Sequence, residues 1–316
     1  MSTTGDYPFV RHDAQIAVAF EDEHGEEQTD DTAYRTFGVV TEAGDMPDPE
    51  VEWQEERTIS NRGRELSGKT PGRNTYDGGS LTVLPVDAFP FEFLFGEEVG
   101  DTEADRITVA NSPLPKTATV EATYFGHGSD DDFVRRFIGN APESGTIQVD
   151  NEGQLAIDLD LQAQGVDVGT EPVSVDATDE KPWIFTDADS YFMLHGTEYA
   201  RITDFEWELG NELDPRWYIQ PNDPEDPYEV HYGNAGHAIT VEAVPVDDSL
   251  YQEVIGRDDS GDASIAFEKP NGDRLSFEFK NVGTESAPHE MPDEGAPETT
   301  LSLIPDSGYV EFTQPA

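Results

Sequence analysis

A set of short motifs occurs twice in this 316-residue chain, in the same order each time. Each copy has a Glu-Trp pair, a glycine turn after a tyrosine, an apolar-Thr-Val segment, and a Pro-Val-Asp tripeptide with a glycine eleven residues after its proline. The matched positions are Trp53 and Trp207, Gly79 and Gly236, Pro85 and Pro245, and Gly96 and Gly256. The copies lie roughly 155–160 residues apart, far above the period of a solenoid repeat, so they predict a duplicated domain.

We predict a first domain over residues 1–170, which includes an N-terminal arm or strand, and a second domain over residues 183–316. Residues 171–182 are polar and acidic and are predicted to be the linker. A chain of 316 residues is long enough for two domains that each have a core. Two like domains in one chain present two similar surfaces, which suits assembly into a ring.

Most of the chain has the period-2 alternation that is typical of half-buried β-strands. The clearest segments are 15–20, 117–124, 155–161, 239–244 and 275–279. The 28 glycines and 22 prolines punctuate these runs, as expected of many short strands joined by turns. The predicted fold is therefore mainly β, with the strands of each domain packed as a sandwich or barrel.

One short flanking helix is predicted in each domain, at residues 87–95 and 247–255. Both segments begin with an acidic residue and end at a glycine, and Pro90 lies in the first turn, where a helix tolerates proline. The two copies differ in two segments. Residues 220–227 occur only in the second copy. In the first copy, residues 127–132 are an acidic tract that leads into a predicted short helix or edge strand at residues 133–138.

The formal net charge of −50 comes from 68 acidic and 18 basic residues spread along the whole chain. With 17 Phe, 11 Tyr and 4 Trp, the chain has enough apolar material to fold. In about 1 M salt the Debye length falls to about 3 Å, so we expect a halophilic source, a haloarchaeon or one of its viruses. Because nucleic-acid affinity comes mainly from Lys and Arg, specific binding of DNA or RNA is not expected.

No arrangement of residues indicates catalysis, and we expect that the protein is not an enzyme. The sequence has no cysteine, no P-loop and no G-x-S-x-G motif. Acidic pairs are expected by chance among 68 carboxylates, so none is assigned as a general acid and base. His231 and His237 lie six residues apart, which is not a zinc-site spacing, and are interpreted as turn or surface histidines.

No cofactor is predicted. The acidic clusters at residues 187–189 and 258–262 supply only oxygen ligands, which suit weak surface binding of Mg²⁺, Ca²⁺, Na⁺ or K⁺. Neither cluster has the complete pattern of a calcium-binding loop. The matched tryptophans are interpreted as core or interface aromatics in preference to a platform on which a ligand stacks.

The N-terminal residues have neither the basic nor the apolar segment of a secretory signal. No apolar run reaches the roughly 18 residues that a membrane-spanning helix requires. We therefore expect synthesis as a soluble protein in the cytoplasm and no membrane partner.

The order of the motifs resembles that of the major tail tube proteins of long-tailed (siphovirus-like) phages and of haloarchaeal tailed viruses. The likeness covers residues 33–160 and 195–312. It is strongest at residues 232–241, Tyr-Gly-Asn-Ala-Gly-His-Ala-Ile-Thr-Val, followed by the predicted helix that ends at Gly256. The resemblance implies two tandem tail-tube-like β-sandwich or barrel domains, each with one short flanking helix and extended hairpins or loops.

The resemblance also implies a function, that of a structural virion protein, the major tail tube subunit. Its stacked rings would surround a lumen through which DNA passes during ejection. Tail tubes commonly use hexameric rings of one-domain subunits, so a duplicated subunit implies a homotrimeric, pseudo-hexameric ring. The implied partners are other copies of the chain, tape-measure, tail terminator and baseplate proteins, and DNA held without specific binding. The implied location is the tail of the virion.

Two other classes of protein stay open at this point. One is a different virion or surface β module of a halophilic virus or archaeon, such as a baseplate protein, an adhesin or a carbohydrate-binding protein. The other is a halophilic hydrolase on a β scaffold. The lack of a secretory signal counts against a cell-surface protein, and the lack of a nucleophile or metal constellation counts against a hydrolase.

Overall fold

The computed structural model describes residues 14–43, 45–56, 68–100, 106–111, 115–126, 132–150, 154–169, 171–175, 181–183, 189–218, 226–245, 261–268, 272–286, 289–290 and 298–313. Within these ranges the chain forms 22 β-strands, the α-helix α1 at Phe89–Phe95, and one 3-10 turn at Asp31–Ala33. The strands β1 to β22, in chain order, are Ala14–Phe20, Arg35–Thr36, Val39–Ala43, Glu50–Glu56, Gly68–Thr75, Gly79–Leu84, Gly96–Gly100, Arg106–Asn111, Ala118–Tyr124, Phe133–Asp150, Ala156–Gln162, Gly165–Gly169, Asp189–Leu194, Thr197–Gly210, Asp214–Arg216, Glu229–His231, Gly236–Pro245, Gly261–Glu268, Arg274–Ser286, His289–Glu290, Glu298–Ile304 and Ser307–Thr313.

An antiparallel sheet of eight strand positions runs through the whole molecule. Its order is β3–β6–β11–β10–β14–β17–β21, and the eighth position holds the C-terminal part of β19 followed by β20. Four positions come from the N-terminal half of the chain and four from the C-terminal half. The halves meet where β10 pairs with β14, from Ser144 opposite Gly210 to Asp150 opposite Asp204.

Two smaller sheets pack against the apolar face of the eight-stranded sheet. One has the order β2–β1–β9–β10–β12, and the other has the order β13–β18–β19–β22–β8–β7. β10 and β19 are long enough to pass from a small sheet into the eight-stranded one. Each changes sheet at a bulge that includes a residue with left-handed backbone, Gly139 (φ 66°) in β10 and Asn281 (φ 53°) in β19.

A single apolar core extends across both halves. The helix α1 fills it because its sequence, Phe-Pro-Phe-Glu-Phe-Leu-Phe, is apolar almost all round, and Gly96 ends the helix in a left-handed conformation (φ 86°). The ring of Phe95 lies 4.9 Å from that of Trp207, and the ring of Phe91 lies 6.2 Å from that of Phe277. A helix of the first half therefore packs on strands of the second half.

The strand pairing of the first half recurs in the second. Strands of the first half have counterparts in the second that pair in the same way. The counterparts are β13 for β1, β14 for β2 and β3, β17 for β6, β18 for β9, β19 with β20 for β10, β21 for β11, and β22 for β12. The irregularities recur as well. β3 has a bulge at Thr41 opposite β6, and β14 has one at Thr203 opposite β17. These matched bulges fix a residue-by-residue correspondence between the halves.

A two-stranded ribbon follows the corresponding strands of each half, β4–β5 after β3 and β15–β16 after β14. The ribbons are joined across the halves. The guanidinium of Arg73 lies 5.2 Å above the ring of Trp217, and the hydroxyl of Tyr76 donates a hydrogen bond of 2.6 Å to Asp226. The hairpin β7–β8 has no counterpart among the described residues of the second half, and its strand β8 pairs with β22 of that half.

The prediction of a mainly β fold is confirmed, and each of the five predicted strand segments lies in a strand. The helix at residues 87–95 is confirmed, whereas the one predicted at 247–255 falls outside the described residues. The segment 133–138 is neither a helix nor an edge strand, because it lies in β10 with β9 on one side and β12 on the other. The division into two domains and a linker stays a prediction.

The two matched tryptophans occupy different kinds of position. Trp207 is fully buried in β14, where its ring lies 4.7 Å from that of Phe279, whereas Trp53 is 55% exposed on the ribbon strand β4. The bulge correspondence places Asp45 at the position equivalent to Trp207. The corresponding ribbon of the second half carries Trp217. The interpretation as a core aromatic therefore holds for Trp207, and Trp53 is a surface residue.

We expect Trp207→Ala to lower the free energy of unfolding by about 3–5 kcal/mol, because it removes a large buried side chain and leaves a cavity. Trp53→Ala, the matched control, should change it by less than about 0.5 kcal/mol. Chemical denaturation in molar salt, followed by circular dichroism, measures both. Equal losses for the two variants would contradict this placement of the tryptophans.

Candidate functional site

The eight-stranded sheet has one apolar face and one acidic face. Along each strand, buried side chains such as Ile147, Ile157 and Trp207 alternate with polar ones that point the other way. We call the polar set the acidic face: Ser80, Thr82, Ser144, Thr146, Gln148, Asp158, Asp160, Asp204, Glu206, Glu208, Thr240, Glu242, Thr300 and Ser302. It crosses from the first half to the second without a break.

Hydroxyl and amide groups on neighbouring strands hold the carboxylates of the first half in place. The Asp158 carboxylate accepts a hydrogen bond of 2.6 Å from Thr82 Oγ1 and one of 2.6 Å from Gln148 Nε2. The Asp160 carboxylate accepts one of 2.6 Å from Ser144 Oγ. These hydrogen bonds hold the two carboxylates in defined positions on the surface of the sheet.

The fourteen residues of the acidic face include six carboxylates and no lysine or arginine. A surface of this kind repels phosphate groups, because contact with nucleic acid relies on cationic side chains that displace counterions. Its hydroxyl and amide groups keep it hydrated without adding positive charge. The face is therefore suited to lie beside a polyanion without binding it.

The two ends of the eight-stranded sheet are open edges. β3 pairs with β6 on one side, and within the described ranges no strand pairs with its other side. At the opposite end, residues 283–286 of β19 and the strand β20 pair with β21 on one side, and again no described strand pairs with the other. Open edges of this length are ready to add a strand from another chain.

Within the chain, the pairing of β10 with β14 joins the counterparts of these two open edges. The end of β10 that meets β14 is the counterpart of the open edge at β19 and β20, and β14 is the counterpart of the open edge at β3. Buried Asn211 fastens the junction, since its side-chain nitrogen donates 2.9 Å to the carbonyl of Pro142 and its backbone N–H donates 2.8 Å to that of Glu143. The β10–β14 junction therefore shows how an edge of one type pairs with an edge of the other type.

A buried carboxylate, Glu121 in β9, ties the start of the predicted linker to the first half. It accepts 2.8 Å from the guanidinium of Arg136 and 2.9 Å from the backbone N–H of Val173. The hydroxyl of Tyr34 lies close by, and burial raises its pKa well above the usual range. Sequence reasoning missed this cluster because its members are far apart in the chain and look like surface charges.

Five of the six remaining matched residues lie at or next to the ends of strands or of the helix. Pro85 is buried after β6, Pro245 ends β17, and Gly236 begins it. Gly79 lies so close to Pro47 that a Cβ atom would be 2.6 Å from its ring, and a Cβ on Gly96 would be 2.4 Å from Pro115. Gly256 falls outside the described residues.

His231 and His237 do not come together. His231 is exposed, with Nε2 at 2.8 Å from the Glu229 carboxylate, whereas His237 lies half-buried beside Trp207, whose indole N–H donates 3.3 Å to Nδ1. Burial lowers the pKa of His237, so this imidazole is held neutral. Across the described residues, no group of three or more His, Asp or Glu is placed to hold a metal ion.

We expect Asn211→Ala to lower the free energy of unfolding by about 1–3 kcal/mol, because it leaves the buried carbonyl of Pro142 without this donor. Asn234, which is exposed in the turn before β17, provides the control, and Asn234→Ala should leave stability unchanged. Denaturant titration of the two variants measures the difference. A loss of the same size in both would show that Asn211 does not fasten the junction.

The depressed pKa of His237 predicts an acid-sensitive contribution to stability. As pH falls through the ordinary histidine pKa of about 6.5, the unfolded state takes up a proton that the folded state refuses, so stability is lost by up to about 1.4 kcal/mol per pH unit. His237→Gln keeps an acceptor for Trp207 and should remove this component. Unfolding free energies of both proteins between about pH 7.5 and pH 5 test it, and parallel pH curves would contradict it.

Comparisons with known proteins agree with this architecture. A family model described as phage tail tube protein matches residues 11–303, which is nearly the whole chain. No curated protein matches it. In the described part of the chain, no helix has the length and apolar character needed to cross a membrane. The match across both halves identifies the chain as a member of the phage tail tube protein family.

Proposed function

We propose that this protein is the major tail tube subunit of a tailed virus with a halophilic host, in a duplicated-domain form that assembles into stacked homotrimeric rings. The observation that carries the proposal is the pair of open sheet edges, which match the two edges already joined at the β10–β14 junction. Repeating that junction between copies gives a head-to-tail contact. A contact of this kind closes into a ring when the rotation between copies fits.

Simple geometry supports three copies. With eight strand positions per copy, a spacing of about 4.8 Å and a tilt of about 40°, three copies give a closed sheet about 48 Å in diameter between backbones. After side chains are added, the opening is wide enough for a DNA duplex. Because each copy carries two similar halves, a trimer has pseudo-sixfold symmetry.

The acidic face supports a role as the wall of the lumen. If the apolar face is inside each subunit, the acidic face is the one that a closed sheet turns toward the channel. Its carboxylates repel the DNA backbone, so the genome passes without specific binding during ejection. The same charge requires salt to screen repulsion between copies, consistent with a host that lives at high salt.

The tail tube role also defines the other partners and the location. The rings would stack on one another, enclose a tape-measure protein, and meet terminator and baseplate proteins at the two ends of the tail. The protein would be made in the host cytoplasm and carried in the virion, with no enzymatic activity and no cofactor beyond weakly bound surface cations.

The alternative is another virion or surface β module, such as a baseplate, adhesin or carbohydrate-binding protein. The feature that favours it is a cavity of 620 Å³ lined in part by the exposed residues Tyr218 and Tyr228. Their rings are nearly perpendicular, at 76°, and do not form a flat platform on which a sugar ring would stack. The tail tube proposal accounts for the two open edges and the acidic face, which this alternative leaves unexplained.

We expect the purified protein to form rings or tubes on the order of 100 Å wide in molar salt, visible by negative-stain electron microscopy. Class averages viewed down the axis should show threefold symmetry with a sixfold-like outline. Diluting the salt to about 0.1 M lengthens the Debye length to about 10 Å and should dissociate the tubes, which light scattering detects.

Circular dichroism at both salt concentrations serves as the control, because the subunit must stay folded for dissociation to be meaningful. A protein that remains a folded monomer in molar salt at high concentration would exclude the tail tube proposal. Tubes that stay intact in dilute buffer would show that assembly does not depend on charge screening.

A further inference from the structure

The internal junction specifies how one copy meets the next at the level of single residues. The correspondence between the halves is fixed independently on each side of the junction. Thr41 and Thr203 are the matched bulges of β3 and β14, and Glu143 and Glu285 are the matched bulges of β10 and β19. The register of the β10–β14 pairing can therefore be transferred to the open edges without adjustment.

We propose that the open edge at β19 and β20 of one copy pairs with the open edge at β3, and with the residues that follow β3, in a second copy. This inference rests on the ring of the proposed function. In the transferred register, Ser286 takes the place of Ser144 and lies opposite Asp48, which takes the place of Gly210. His289 takes the place of Ile147 and lies opposite Asp45, which takes the place of Trp207.

The contact between copies differs in chemistry from the contact within the chain. The internal junction pairs Ile147 with Trp207 and carries the Asn211 fastening, whereas the corresponding positions between copies are His289, Asp45 and Pro49. Proline supplies neither of the two donors that asparagine provides. The junction between copies therefore lacks the apolar pair and the asparagine hydrogen bonds of the internal junction, and we expect it to separate while the internal junction stays closed.

Both edges of the junction between copies carry acidic residues, so salt that screens their charges favours association. One edge carries Asp45 and Asp48, and the other carries Glu285 and Glu290. Asp48 is partly neutralised within its own copy by Arg135, whose guanidinium lies 2.6 Å away. The net negative charge of the two edges therefore opposes association unless salt screens it.

Disulfide trapping tests the register directly, because the chain contains no cysteine. Directly opposite residues of antiparallel strands have Cα atoms about 4.5–5.5 Å apart, within the range that a disulfide accepts. A chain with both Asp48→Cys and Ser286→Cys should, when rings formed in molar salt are oxidised, give covalent dimers and trimers on a non-reducing denaturing gel.

Two matched variants provide controls. Ser144→Cys with Gly210→Cys places the pair at the internal junction, where a Cβ on Gly210 would meet nothing within 4 Å. It should give a cross-linked monomer and no oligomer. Asp48→Cys with Thr284→Cys is out of register by two residues, about 7 Å along the strand, and should give at least tenfold less cross-linked oligomer.

The outcomes separate this inference from the proposed function. Rings that form normally but cross-link only in the off-register variant would overturn the register and leave the tail tube role intact. A chain without substitutions that forms no ring would remove the basis of both. If the Asp48→Cys and Ser286→Cys chain does not fold, the pair Asp45→Cys and His289→Cys tests the same register, and its failure to cross-link in intact rings would overturn it.

Discussion

The backbone pairing of β10 with β14 is the contact on which the rest of the molecule depends. It turns two four-stranded sheets into one sheet with a continuous apolar face, and that face is covered by elements of both halves. The helix α1 of the first half packs its phenylalanines on Trp207 and Phe277 of the second. Because of these contacts, buried side chains of both halves belong to one apolar cluster.

The alternation of side chains along the strands explains how a chain of net charge −50 keeps an apolar core. In a strand the side chains alternate between faces, so every buried residue leaves a neighbour free to be charged. The eight-stranded sheet uses this alternation to place phenylalanine, tryptophan and aliphatic residues on one side and carboxylates with hydroxyls on the other. The charged side chains of these strands therefore lie on the face that points away from the core.

Duplication without identity leaves the joined edges and the free edges with different side chains. Where the halves meet, an apolar pair and a buried asparagine fasten the contact, whereas the matching positions at the free edges are His289, Asp45 and Pro49. The family match covers nearly the whole chain and therefore includes both halves and the pairing between them.

The sequence alone determined the mainly β character, five of the strands and the first helix. Period-2 alternation marks which side chains of a segment are buried, and Gly96 after a phenylalanine-rich run marks a helix end, because both signals are local. The lack of cysteine and of any metal-ligand spacing also needs no fold to be recognised. The repeat is visible for the same reason, since Pro-Val-Asp and the glycine turns are local motifs.

Only the tertiary structure decided which strands are neighbours. Alternation shows the face that a strand buries but not the strand across from it, so no local pattern shows that β10 pairs with β14. Trp53 and Trp207 share a local motif and differ in burial for the same reason. The register at β10–β14, the acidic face and the two open edges arise from long-range hydrogen bonds, and a local pattern carries no information about them.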